Sequence, residues 1–146
     1  MNYFKKINTI LSFSLENNTS DIPWSKGQIS ALEDRKNVYY ASTLRKIKGY
    51  LNLAEKTYND LVDIYNASPV ARENHDLKIL IKHTNKRIEE YKKQIEEVNN
   101  WIEEVDEKLK NSYVDYKFFH HGLKDLNVKP FKAIDIEAIR KNLKGY

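Results

Sequence analysis

The chain has 146 residues, with 25 basic against 21 acidic side chains for a net charge of +4, four glycines, three prolines and no cysteine. That length suits a single domain. The absence of cysteine excludes a disulfide framework, a thiolate metal centre and a cysteine nucleophile, and so little Gly and Pro excludes a turn-rich β fold. A charged fraction of 32% against 40% apolar belongs to a folded helical chain rather than a disordered one. No apolar stretch approaches the ~20 residues that span a bilayer, and a charge of +4 is too small to force a nucleic-acid reading. Lys outnumbers Arg four to one, and Asn, Ile and Tyr are abundant. These residue types have A/T-rich codons, so the expected source is an AT-rich bacterium, phage or virus.

Residues 1–15 place Phe4, Ile7, Leu11 and Leu15 on one helical face, although Leu11, Phe13 and Leu15 also alternate as a short strand would. Lys5-Lys6 ahead of Ile7, Ile10 and Leu11 faintly has the order of a secretion signal. Asn8, Thr9 and Ser12 interrupt the apolar part and no Ala-x-Ala site follows, so cleavage is not expected. Glu16 to Asp21 reads as a loop.

A long helix is expected over residues 25–66. Ser25 and Gln28 can form a capping box, with Trp24 and Ile29 at the positions of a hydrophobic staple. Its later seam reads Leu44, Ile47, Leu51, Ala54, Tyr58, Leu61 and Tyr65. Ile29 and Leu32 fall out of that register, which requires a shift near residues 36–40. Ser68-Pro69 should end this helix and cap the next, because proline at the first helical position gives up an N–H that has no partner there.

The second long helix, expected over residues 69–117, carries the strongest pattern in the chain. Leu77, Ile81, Thr84, Ile88, Tyr91, Ile95, Val98, Ile102, Val105, Leu109, Ser112 and Tyr116 alternate steps of four and three, a stripe sustained over roughly six heptads. So short a connection makes the two helices antiparallel. Turning at Ala67-Ser68 puts residue i near residue roughly 134 − i, on a rod of about 60 Å.

The tail, residues 118–146, breaks the heptads at Phe118-Phe119-His120-His121-Gly122. It turns through Asn127 to Pro130 and starts a short helix near Asp135, with Ile134 and Ile139 as a staple and Gly145 as the stop. A two-helix seam does not use every apolar residue. Leu53, Ile64, Ile79, Leu80 and Trp101 lie beside it, and Phe118, Phe119 and Phe131 lie in the tail. They are expected either to be covered by the terminal segments or to form a protein interface. Phe4, Phe13, Phe118, Phe119 and Phe131 are the candidates to cover Trp101.

Chemistry is weakly marked. The repeated Ile-Glu-Glu triplets at 88–90, 95–97 and 102–104 invite a paired-carboxylate or metal reading. With each Ile in the seam, however, both glutamates face water, where Glu89 with Lys93 and Glu104 with Lys108 support an exposed helix. His75 and His83 align poorly on one face, and His120-His121 sit beside Gly122. No phosphate loop or Ser-His-Asp pattern occurs. The pairing of the two helices brings Arg45, Lys46 and Lys48 level with Lys82, Lys86 and Arg87, a basic belt near Tyr50, Tyr91 and His83 that could neutralise phosphates.

The two-helix pattern is similar to small secreted hairpins of the WxG class, but Trp24-Ser25-Lys26-Gly27 precedes the first long helix instead of joining the two. Phage recombination mediators and small phage assembly proteins share size and helicity alone, and no functional residue is carried over from either. The expected fold is all-α, a long antiparallel coiled-coil-like hairpin with shorter terminal helices packed on it. The expected role is a non-enzymatic structural, adaptor or assembly protein, phage- or virus-encoded, in the host cytoplasm or a virion. Its partners would be proteins, in a homo-oligomer or larger assembly, with no cofactor, metal, membrane or small-molecule substrate. The alternatives are a nucleic-acid accessory protein using the belt, and a small inhibitor of a host enzyme.

Overall fold

The computed structural model describes residues 23–110 and 126–143. Among these residues no strand forms, and the helical elements are α1 (Lys26–Asp34), a π-helical turn (Arg35–Tyr40), α2 (Ala41–Ala67), α3 (Pro69–Glu73), α4 (His75–Lys110) and α5 (Ile136–Asn142). The fold is all-α. The N-terminal helix or strand, the Glu16–Asp21 loop, Ser112, Tyr116, the Phe118-to-Gly122 break and Gly145 lie outside the described residues. The chain divides into two compact units, Met1–Thr43 with Val98–Asn127, and Leu44–Glu97 with Val128–Tyr146.

In the first unit, the capping box forms as its residues require. Ser25 Oγ accepts the Gln28 N–H at 3.1 Å and Gln28 Oε1 accepts the Ser25 N–H at 2.9 Å. Leu32 and Tyr40 are both buried to 1% exposure, yet they stand eight residues apart, one more than a heptad. The π turn absorbs the extra residue: the Ala41 N–H reaches back five residues to the Lys36 carbonyl. The register shift expected near residues 36–40 is therefore a wide helical turn. The Tyr40 ring packs on Trp101 with centroids 5.7 Å apart, Lys36 Nζ pairs with Asp106 at 2.6 Å, and Trp24 Nε1 donates to the Lys108 carbonyl at 3.1 Å. Trp101 is thus covered by a tyrosine of the first helical stretch. Of the phenylalanines expected there, Phe4, Phe13, Phe118 and Phe119 lie outside the described residues.

The second unit is an antiparallel hairpin. Its buried side chains are Ile47, Ala54, Thr57, Leu61 and Ile64 on α2, and Leu77, Thr84, Ile88 and Tyr91 on α4. On α4 these buried residues all belong to the expected seam, with its Ile81 and Ile95 half-buried, whereas the α2 seam is rotated. Leu44, Leu51, Tyr58 and Tyr65 are half-buried flanks, and Thr57 and Ile64 take the inward places. Smaller side chains let the helices approach, and a flanking tyrosine keeps its hydroxyl near water. Burying the threonines leaves no orphan, because Thr57 and Thr84 donate to the Leu53 and Leu80 carbonyls, each at 2.8 Å.

The connection is longer than the sequence suggests. Ser68 caps α3 by accepting the Ala71 N–H at 3.2 Å. Proline then starts a helix of only five residues, because Asn74 is extended and caps α4 in turn, its Oδ1 accepting the Leu77 N–H at 2.9 Å. The second long helix therefore begins at His75, not at residue 69. Beyond the left-handed turn at Asn127 (φ 50°), Asp135 caps α5 by accepting the Ala138 N–H at 3.1 Å. Leu143 joins Leu61, Ile64, Ala71 and Leu77 in one core, with Leu80, Ile136 and Ile139 against it.

Candidate functional site

The register of the hairpin decides where the basic side chains fall. Tyr50 lies against Tyr91 with ring centroids 5.9 Å apart, and Ile64 shares a core with Leu77, so residue i stands near residue roughly 141 − i. That is one heptad from the expected pairing, because the turn is centred within α3 and not on Ala67-Ser68. Arg45, Lys46 and Lys48, all exposed, come level with Lys93 to Glu96. Lys82, Lys86 and Arg87 come level with Ala54 to Asn59. The two basic groups are offset by roughly 14 Å along the helices, beyond the ~8 Å Debye length at physiological salt. The expected six-residue belt is two separate groups.

The α4 group gains a different neighbour. The Tyr91 hydroxyl donates to the Lys129 carbonyl, which ties the segment after Asn127 to α4. Burial pushes the Tyr91 phenol above its ordinary value, opposed by the nearby Arg87 and reinforced by Tyr50 and Glu90, so it stays a neutral donor at physiological pH. Farther along, the α5 residues anchor the same segment to the core. Between these anchors, Pro130, Phe131, Lys132 and Ile134 face one side of α4, at Leu80, His83, Thr84 and Arg87, across a cleft of about 430 Å³. Those α4 positions have i, i+3, i+4, i+7 spacing, so they share one helix face. His83 and Lys132 are exposed and Phe131 is half-buried.

The residues expected to form a protein interface separate by burial. Ile64 is 0% exposed and Trp101 6%. Both belong to the core, since α5 side chains pack with the first and Tyr40 with the second. Leu53 and Leu80 are half-buried, Ile79 is exposed, and Phe131 lines the cleft. Phe118 and Phe119 lie outside the described residues. Sequence reasoning missed Lys132 as a neighbour of Arg87, since no periodicity links an irregular segment to a helix forty-odd residues earlier. It also missed Asn74, whose signal was present: an N-cap residue type followed by an acidic first turn.

Comparison with protein-family models, curated proteins and solved structures finds no match to this chain.

Proposed function

We propose that this protein is a non-enzymatic structural, adaptor or assembly protein acting through helix-mediated protein–protein contacts. The observation that carries the reading is the adjacent pair Val38 and Tyr39, 55% and 61% exposed on the π turn. The extra residue in that turn keeps Leu32 and Tyr40 in the core and leaves two consecutive large apolar side chains in water. Covering them with a second copy or another helical protein would recover apolar burial at about 25 cal/mol per Å². Sedimentation velocity over a wide concentration range tests this. Association that grows with concentration and is lost in the Val38→Lys, Tyr39→Lys double variant supports it. A wild-type monomer throughout would remove the self-assembling form of the role.

A nucleic-acid accessory role is the second reading, supported by Lys82, Lys86 and Arg87 on α4 and weakened by their separation from Arg45, Lys46 and Lys48. Fluorescence anisotropy with labelled single- and double-stranded DNA at low and high salt tests it, because phosphate binding collapses as counterions compete. Inhibition of a host enzyme would use the same exposed surfaces as the adaptor role.

A further inference from the structure

We propose that the cleft between α4 and the segment 130–134 docks an acidic peptide segment of a protein partner, with an apolar side chain of that segment seated against Leu80, Phe131 and Ile134. The inference rests on the protein-contact reading and names the chemistry of one partner. Three observations carry it. The lining holds two cationic side chains, Arg87 and Lys132, with the His83 imidazole beside them, and no carboxylate. Its remaining lining is largely apolar, from Leu80, Pro130, Phe131 and Ile134, so the site suits an anion attached to an apolar body better than a free ion. Finally, the backbone N–H and C=O groups of Phe131, Lys132 and Ala133 make no hydrogen bond among the described residues. Unpaired main-chain groups in a segment that borders the cleft are what an incoming peptide backbone can pair with, as in strand-addition recognition. A nucleic-acid strand would use the cations but leave those groups unanswered.

The volume, about 430 Å³, lies within the ~300–1,000 Å³ range of specific ligand sites and would take one or two side chains of a longer segment. Arg87 is the cation best placed to fix orientation, because its planar guanidinium can hold a carboxylate through two N–H groups. Its present partner, Glu90, reaches it at 3.6 Å, with side-chain exposures of 34% and 45%. That long, half-exposed contact competes with an incoming carboxylate and is weak enough to exchange. Glu90 therefore tunes the site from the next turn of the helix.

The test uses the full chain and a fluorescein-labelled peptide of alternating Glu and Leu with a central Phe, read by anisotropy, with matched peptides carrying Gln or Lys in place of Glu. The Glu peptide is expected to bind saturably and the Lys peptide not at all. Lys132→Glu, at an exposed position outside the helices, should weaken binding about tenfold, as should Arg87→Gln, with circular dichroism checking that the helices stay intact. Glu90→Gln should tighten it several-fold by freeing Arg87. No saturable binding, or binding indifferent to Lys132→Glu and Arg87→Gln, overturns the proposal. Labelled oligothymidine that binds in place of the peptide and is lost with Lys132→Glu would make the cleft a nucleic-acid site and also overturn it. Peptide failure alongside intact self-association would remove the cleft assignment alone. Failure of both would remove the protein-contact reading as well.

Discussion

Tyr50 and Tyr91 meet across the two helices of the hairpin with ring centroids 5.9 Å apart and planes tilted by 36°. This pair reports the register in which α2 faces α4. A heptad pattern looks the same after a slip of seven residues, so periodicity cannot choose between registers. The length of the connection chooses, and here α3 and the Asn74 cap lengthen it.

The register is open to direct measurement. The chain has no native cysteine, so spin labels can be placed at paired cysteine substitutions without background. Labels at Asn52 and Glu89, both exposed, should lie closer together than labels at Asn52 and Lys82. The second pair is displaced by one heptad, about 10 Å along the helix. The reverse order of distances would restore the shorter turn.

Two buried tyrosines should respond in opposite ways to loss of their hydroxyls. Tyr40 Oη is buried with no hydrogen-bond partner among the described residues, so Tyr40→Phe should leave stability unchanged or raise it by about 1 kcal/mol. Tyr91 donates to the Lys129 carbonyl, so Tyr91→Phe should cost about 1 kcal/mol. Urea titrations of both variants read the difference, and equal losses would contradict these environments.

Both phenols also sit above their ordinary value. Burial is the main cause for each, with Arg35 opposing and Glu104 adding at Tyr40, and with Arg87 opposing at Tyr91. Below pH ~10 both folded and unfolded chains carry neutral phenols, and the stability is fully present. As pH rises past that point the unfolded chain releases protons first, so stability falls through the raised folded values. The variant lacking both hydroxyls should show a flatter decline in alkaline urea titrations. An unchanged decline would mean that neither phenol contributes to it.

Gly49 lies exposed within α2, and a Cβ built there meets nothing within 4 Å. Gly49→Ala should therefore stabilise the chain by about 1 kcal/mol, since alanine loses less conformational freedom in a helix. A lower midpoint of thermal unfolding would show that this face is covered.

Leu143 is 8% exposed and shares the core with Leu61, Ile64, Ala71 and Leu77. Leu143→Ala should cost about 2 kcal/mol. Deleting residues 118–146 should likewise destabilise the hairpin, because it uncovers Ile64. A truncated chain as stable as the full one would return the tail to a purely partner-binding role.

The sequence by itself determined the all-α class, the caps at Ser25, Ser68 and Asp135, the buried seam positions of α4 and the register shift before Tyr40. These depend on neighbours within a turn or two, where spacing and residue chemistry act directly. Tertiary structure decided which face of α2 turns inward, because Tyr58 and Thr57, or Tyr65 and Ile64, satisfy the same spacing and only the facing helix distinguishes them by size. It also decided the pairing of Tyr50 with Tyr91, the burial of Ile64 and Trp101, and the placing of Lys132 and Arg87 on one cleft. Each of these joins residues far apart in the chain, and no local preference specifies a contact whose geometry is set by the length of a turn and the docking of a tail.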